Sequence, residues 1–219
     1  MWVLNQLSVD APTDADALIG ALDELYSHLP HRRAFVEGPE VGERLAPRLR
    51  DAGWLVERDV FMVLRRERDR PAQPGLAREV DEATIRAVEA QTIAEQPYGE
   101  PAVVEQLLAS RAAFGRAGRA RYFVAASEGV DGCHTTLYSD GVVAQIEDVG
   151  TLQPLRRRGL ARAACSAALD AAVGHDLVFI VADDEDWPKE LYAKLGFDVV
   201  GRPWAFTHPG PEHPAHRPP

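Results

Sequence analysis

The spacing of apolar residues predicts an alternation of helices and strands from about residue 77 onward. Helical spacing predicts helices over residues 81–94, 103–114, 159–173 and 187–195. Runs of β-branched and aromatic residues predict strands over residues 121–126, 133–138, 142–152 and 177–182, with a strand or hairpin over 197–206. This order predicts a mixed α/β sheet with helical crossovers.

The first 70 residues carry a shorter pattern of the same kind. A strand over residues 33–37, a helix over 43–52 and a strand over 54–64 repeat the order found in residues 178–206. In both stretches the helix closes on a glycine followed by an aromatic residue, at Gly53-Trp54 and at Gly196-Phe197. Because this order is common, the repeat is either a coincidence or a degenerate half-domain.

Proline and charge divide the chain into segments. Residues 65–75 are charged, contain two prolines and lack an apolar period, and residues 209–219 are mostly proline and histidine. We predict an N-terminal strand–helix–strand segment, a linker, a main domain and a disordered tail, over residues 1–70, 71–76, 77–208 and 209–219.

Charge and composition argue against nucleic-acid-binding, membrane-spanning and disulfide-rich proteins. The chain has 24 basic and 34 acidic residues and a net charge of -10, so as a whole it repels nucleic acid and anionic lipid. No apolar run is long enough to span a bilayer, and no signal-peptide pattern precedes Arg32, the first basic residue. Cys133 and Cys165 form neither a disulfide framework nor a metal-ligand spacing. We therefore expect a cytoplasmic protein that needs no metal.

One segment concentrates positive charge. A strand runs into a turn at Pro154, four arginines fall within residues 156–162, and a helix starts at Gly159. Free N–H groups at a helix start and nearby cations make an anion site, and Gly159 and Ala161 leave room for a ligand. Cations are otherwise unfavourable at a helix N-terminus, which favours a bound polyanion over a solvated turn. The glycine spacings of NTP-binding loops and dinucleotide folds are absent.

Two stretches resemble a known family. Residues 156–161, RRRGLA, match the Q/R-x-x-G-x-G/A pyrophosphate motif of the GNAT superfamily of N-acetyltransferases, and residues 191–197, LYAKLGF, are similar to its L-Y-x-x-x-G-F signature. The resemblance implies a GNAT-like fold, with a mixed, mostly antiparallel central sheet and flanking helices, and acetyl-CoA as co-substrate. It implies that the pyrophosphate is bound by Arg156, Arg157, Arg158, Gly159, Leu160 and Ala161.

The resemblance also implies roles at the reacting thioester. Thr151 and Leu152 would pair with the pantetheine arm, and a backbone N–H of Leu152, Thr151 or Val149 would polarise the carbonyl. Tyr192 would protonate the departing thiolate, a task that suits a phenol with a pKa near 10. The alternative for Tyr192 is an ordinary core residue.

Acetyl transfer also needs a base, and the sequence leaves its identity open. Glu147 and Asp148 lie on the strand before the motif, where family members often place a carboxylate. Neighbouring strand residues point to opposite faces, so only one of them can face the acceptor. We choose Glu147, with Asp148 or solvent as the alternatives.

These features predict an N-acetyltransferase that moves an acetyl group from acetyl-CoA to an amine of a small molecule or peptide, by direct attack in a ternary complex. The alternative is a non-catalytic acyl-CoA-binding regulatory module. We expect no nucleic-acid or membrane partner, and we expect residues 81–118 and the final hairpin to select the acceptor. The acceptor, the acyl length of the donor and the choice between monomer and homodimer stay open.

Overall fold

The chain divides into two compact units. The computed structural model describes residues 5–71 and 73–210, so residue 72 of the predicted linker and residues 211–219 of the predicted tail lie outside the described residues. The first unit takes its described residues from Met1–Phe61, Ala182–Lys189 and Val199–Pro219, and the second takes them from Met62–Val181 and Glu190–Asp198. The domain boundaries predicted at residues 70 and 77 stay a prediction.

The first unit contains a sheet covered by two helices. Its elements are β1 (Leu7–Val9), α1 (Ala15–Leu25), β2 (Arg32–Val36), α2 (Pro39–Asp51), most of β3 (Leu55–Leu64) and β10 (Trp204–His208). The strands lie in the order β1, β2, β10, β3; β1 is parallel to β2, and β10 is antiparallel to both of its neighbours. Leu22, Leu49 and Phe206 are fully buried in the core of this unit.

The second unit carries both predicted family motifs. Its elements are β4 (Ala77–Val80), α3 (Glu82–Ala94), α4 (Pro101–Ala117), β5 (Arg121–Ser127), β6 (Val130–Ser139), β7 (Val143–Thr151), a short 3-10 helix (Gln153–Leu155), α5 (Leu160–Ala171), most of β8 (Leu177–Asp183), most of α6 (Pro188–Lys194) and the start of β9 (Phe197–Gly201). The strands lie in the order β8, β7, β6, β5, β4. Strands β7 and β8 are parallel, and the other pairs are antiparallel.

Helices α5 and α3 cover opposite faces of this second sheet. Neighbouring residues of β6 point to opposite faces, and Cys133 packs with Leu160 and Ala164 of α5. On the other face, Nε2 of His134 lies 2.8 Å from Oγ1 of Thr92 in α3. Small alanine side chains along the buried face of α5 let the helix pack closely on the sheet.

The predicted fold class is confirmed. The protein is mixed α/β, its strand pairs are mostly antiparallel, and helices flank the sheet. The predicted helices and strands lie within a few residues of the observed ones, and residues 197–206 supply β9 and most of β10. Elements β1, β4 and α1 were not predicted; β1 and β4 are too short to show a period, whereas the buried stripe of α1 is visible in the sequence.

Candidate functional site

The turn between β7 and α5 carries the predicted pyrophosphate site. Gly159 stands just before α5 with φ at +79°, in the left-handed region that favours glycine, and a Cβ there would meet open space. No side chain caps this helix. The N–H groups of Leu160 and Ala161 therefore have no acceptor within the helix, and they can donate to an anion.

The four arginines of this segment differ in their surroundings. Arg162 lies in an ion pair 2.7 Å from Asp69, with its side chain 11% exposed. Arg158 lies 3.1 Å from Glu128 and is more exposed. The Asp69 carboxylate therefore largely neutralises the charge of Arg162. The exposed Glu128 carboxylate partly neutralises that of Arg158.

Arg156 and Arg157 are the two arginines of the segment that form no ion pair with any described residue. Nε of Arg156 donates to the carbonyl oxygen of Thr151 at 3.2 Å, so this side chain lies back along the end of β7. Arg157 is exposed and makes no ion pair among the residues that the structure describes. Both guanidinium groups can meet a diphosphate without breaking a salt bridge.

Strand β7 loses its partner on one edge partway along its length. The parallel register with β8 runs from Val143 opposite Leu177 to Ile146 opposite Ile180. The register with β6 continues as far as Thr151. From residue 147 to 151, β7 is thus paired on one side only within the described registers, and its other edge can hydrogen-bond a ligand.

A β-bulge lies on this open stretch of β7. Glu147 pairs with Thr136 and Gly150 pairs with His134, so residues 148 and 149 together oppose one residue of β6. Asp148 has φ at +57°, in the left-handed region. The bulge changes the direction of the backbone immediately after Glu147.

The backbone of Leu152 is occupied by the protein itself. Its N–H donates to the carbonyl oxygen of Gly132 at 2.9 Å, and its own carbonyl oxygen accepts from Leu155 N–H at 2.9 Å. Because strand residues alternate between the two edges, Thr151, next to Leu152, turns its N–H to the open edge, whereas Val149 lies in the bulge, where the alternation is interrupted. Of the predicted donors this leaves the N–H groups of Thr151 and Val149, and we propose Val149 for the carbonyl and Thr151 for the pantetheine arm.

Glu147 has the electrostatic surroundings of a base. Loss of hydration is the main cause that raises its pKa to about 7, and the neighbouring Asp148 carboxylate adds to the effect. The amide of Gln145 donates to the Glu147 carboxylate. A carboxylate with a pKa near neutrality can accept a proton from an ammonium group at physiological pH more readily than an ordinary glutamate can.

A buried ionic cluster, which the sequence did not predict, adjoins the bulge. The Arg111 guanidinium of α4 lies 2.8 Å from the Asp148 carboxylate and 3.3 Å from that of Glu89. The Tyr138 hydroxyl donates to Asp148 at 3.0 Å. Burial raises the pKa of Glu89 to about 7. The sequence does hold one signal, since Glu89 lies on the buried stripe of α3 beside Val88.

Neither cysteine nor the neighbouring histidine has the properties of a nucleophile or a base. Burial lowers the pKa of His134 to about 3, so its ring is neutral at physiological pH. Burial raises the pKa of the Cys133 thiol to about 11, and it raises that of the Cys165 thiol further. Neither thiol forms a thiolate to a useful extent near neutral pH.

Tyr192 lies on α6 within the second predicted motif. It is 5% exposed, and its ring meets that of Phe197 edge to face at 6.4 Å between centroids. These contacts fix the ring of Tyr192. A fixed ring is what a proton donor needs, whereas an exposure of 5% is typical of an ordinary core residue.

The sequence matches a known protein family. Residues 87–197, just over half of the chain, match the acetyltransferase (GNAT) family, and both motifs lie inside this range. The chain belongs to the GNAT family. No curated protein gives a significant match to the sequence.

Solved structures share the fold of this GNAT protein. A functionally unknown protein from Staphylococcus epidermidis aligns with a TM-score of 0.73 at 14% identity, over 91% of this chain and 82% of its own. A GCN5-related N-acetyltransferase from Kribbella flavida aligns with a TM-score of 0.58 at 19% identity, over 91% and 78%. A tandem GNAT protein from the clavulanic acid biosynthesis pathway aligns with a TM-score of 0.59 at 19% identity, over 88% and 69%. The GNAT-like part of the fold prediction is thereby confirmed.

The described part of the chain lacks two features, a membrane-spanning helix and a cluster of metal-ligating side chains. In residues 5–71 and 73–210, no helix has the length and apolar character needed to cross a membrane. Within the same residues, no group of three or more His, Cys, Asp or Glu side chains could hold a metal ion.

Proposed function

We propose that this GNAT protein transfers an acetyl group from acetyl-CoA to an amine of a small molecule or peptide, by direct attack in a ternary complex. The observation that carries the proposal is the open edge of β7, which begins after Ile146 and leads to the uncapped start of α5. This edge supports binding of an extended amide-containing arm, and the helix start supports binding of the diphosphate at its end.

The proposed binding mode assigns each part of acetyl-CoA to a group of protein donors. The N–H groups of Leu160 and Ala161, together with Arg156 and Arg157, would hold the diphosphate. Arg158 would contribute from the rim, because it also contacts Glu128. The backbone of Thr151 would pair with an amide of the pantetheine arm.

The proposed reaction uses three groups of the chain. Glu147 accepts the proton that the amine loses, and the amine nitrogen forms a C–N bond with the thioester carbonyl carbon. The carbonyl oxygen gains negative charge and accepts a hydrogen bond from the N–H of Val149. The C–S bond then breaks, and the Tyr192 hydroxyl gives its proton to the sulfur, so that free CoA leaves as a thiol. The proton on Glu147 then returns to the Tyr192 phenolate through solvent, which restores both groups.

One observation favours a second candidate, a non-catalytic acyl-CoA-binding module. Tyr192 is nearly buried and packs edge to face against Phe197, as a core residue would. A protein of this kind would bind CoA at the same turn without releasing thiol from acetyl-CoA.

The decisive experiment measures thiol release from acetyl-CoA with a panel of amines. We expect turnover with at least one amine, and we expect Tyr192→Phe to lower kcat by about 10²-fold, the scale of a lost general acid. Tyr26→Phe, at a partly buried tyrosine of the first unit, is the matched control and should behave as wild type. Unchanged kcat in Tyr192→Phe would remove Tyr192 from the mechanism. CoA binding by calorimetry with no turnover on any amine would favour the binding module.

We also propose that residues 1–70 derive from a second, degenerate GNAT half. The order β2, α2, β3 in this segment and the alignment with a tandem GNAT protein support the proposal. Both cysteines are free and buried, which supports the proposed cytoplasmic location.

A further inference from the structure

Asp148 adopts a backbone conformation that its surroundings must maintain. Its φ is +57°, a region that residues other than glycine rarely adopt, although aspartate tolerates it better than most. Such a conformation persists where neighbouring groups hold it in place. The bulge around Asp148 sets the direction of the Val149 N–H, so whatever holds Asp148 also sets that direction.

Two side chains from different elements hold both oxygens of the Asp148 carboxylate. Nη2 of Arg111, on α4, lies 2.8 Å from Oδ1. The Tyr138 hydroxyl, on β6, donates to Oδ2 at 3.0 Å. The side chain of Asp148 is 16% exposed and that of Arg111 is 24% exposed, so little solvent screens their interaction.

We propose that Arg111 and Tyr138 are positioning residues that hold Asp148 in the left-handed conformation and thereby aim the Val149 N–H at the thioester carbonyl. This inference rests on the proposed acetyl transfer. Neither residue touches acetyl-CoA in the proposed mode; both act through the shape of the bulge. The direction of the oxyanion donor then depends on α4, a helix that lies far from residue 148 in the sequence.

A purely structural role for Arg111 makes a different prediction. Arg111 also lies 3.3 Å from Glu89, which is 5% exposed, so its removal leaves that buried carboxylate without its cation. If pairing with Glu89 were its whole purpose, the double variants Arg111→Gln/Asp148→Gly and Arg111→Gln/Asp148→Ala would behave alike, because both remove the Asp148 carboxylate that raises the pKa of Glu89 and only glycine frees the backbone.

Glycine at residue 148 separates the two roles, because glycine adopts a φ of +57° without a clamp. We expect Arg111→Gln to lower kcat roughly 10²-fold, the scale seen when one oxyanion donor is lost. We expect the double variant Arg111→Gln/Asp148→Gly to recover at least about tenfold of that loss. Both are measured as pH–rate profiles, and kcat is compared on the plateau above the pKa of Glu147, because the loss of the Arg111 cation raises that pKa and the loss of the Asp148 carboxylate lowers it.

Tyr138→Phe provides a milder variant if Arg111→Gln folds poorly, since it removes one hydrogen bond and keeps the ring. It should lower kcat, and Asp148→Gly should again restore part of the loss. A double variant no faster than its Arg111→Gln or Tyr138→Phe parent would overturn the inference, as would wild-type kcat in both single variants.

A second measurement does not require catalytic activity, so it tests the positioning role of Arg111 and Tyr138 separately from the proposed acetyl transfer. Hydrogen–deuterium exchange of a peptide that spans residues 147–152 reports opening of the bulge. We expect faster exchange in Arg111→Gln and recovery towards the wild-type rate in the double variant. If wild type shows no acetyl transfer but exchange follows this pattern, the clamp stands and the proposed reaction fails. Identical exchange in wild type and Arg111→Gln would overturn the clamp.

Discussion

At the residue scale, Glu147 and Asp148 are neighbouring carboxylates with different surroundings. Glu147 loses hydration and has a raised pKa, whereas Asp148 is held by Arg111 and Tyr138. Two groups of one chemical type can thus serve as base and anchor, because burial and hydrogen bonding differ between them.

The raised pKa of Glu147 gives a specific pH dependence. The base must be ionised, so kcat/KM should rise with pH and level off above a pKa of about 7. Glu147→Gln should lower kcat/KM by about 10²-fold and abolish this acidic limb. The measurement is a pH–rate profile in constant ionic strength, with Glu43→Gln on the exposed side of α2 as the control. An acidic limb that persists in Glu147→Gln would assign the proton to another group.

At the element scale, the start of α5 combines an uncapped helix, a left-handed glycine and cations. The geometry of Gly159 and the missing cap leave the first N–H groups directed away from the helix. A side chain at residue 159 would enter open space, so it would meet a ligand there rather than the protein.

Replacing Gly159 by asparagine tests this space without strong backbone strain. Asparagine tolerates the left-handed region, so the thermal midpoint should stay within a few degrees of wild type. The affinity for CoA should fall by at least about tenfold, because the side chain occupies the approach to the helix start. Gly174→Asn is the matched control, since Gly174 also has a positive φ and open space and lies just beyond the other end of α5. Calorimetry that gives wild-type affinity for Gly159→Asn would place the diphosphate elsewhere.

The arginines of the same turn should differ in their contributions to CoA binding. Arg157→Gln should weaken CoA binding roughly tenfold, the scale of one charge-assisted hydrogen bond, and should reduce the salt dependence of the Kd. Arg162→Gln should leave the Kd of the folded protein near that of wild type, because Asp69 already engages Arg162. The measurement is calorimetric titration at several salt concentrations. The same loss in both variants would mean that the turn acts through its overall charge.

At the scale of the whole molecule, the first unit depends on the end of the chain. Strand β10 lies between β2 and β3, with Trp204 opposite Val36 on one side and Arg58 on the other. Phe206 is fully buried in the core of this unit. The N-terminal segment therefore lacks its central strand when it is taken alone.

A fragment of residues 1–70 should consequently fail to fold by itself. It would expose the edges of β2 and β3 and lose Phe206 from its core, which favours aggregation. Circular dichroism and nuclear magnetic resonance spectra of the fragment should lack cooperative structure. Tethering residues 199–210 to the fragment through a flexible linker should restore folding more than tethering the same residues in scrambled order. A cooperatively folded 1–70 fragment would instead support an autonomous N-terminal domain.

The sequence determined by itself those features that depend on near neighbours along the chain. These include the helices and strands after residue 77, the cationic turn with Gly159, and the motif around Tyr192, because periodicity and short motifs are local properties. The likeness to GNAT proteins was visible for the same reason. Glu147 was a choice between two neighbours, and only burial gave it a raised pKa.

The tertiary structure alone decided the features that join distant segments. The bulge at Asp148, its clamp from α4 and β6, and the separation of β7 from β8 all depend on register and packing between elements. The same holds for Leu152, whose N–H is taken by Gly132, and for β10, which enters the sheet of the first unit. Such contacts produce no repeating pattern of apolar residues in the sequence, because they form only when separate elements pack around a shared core.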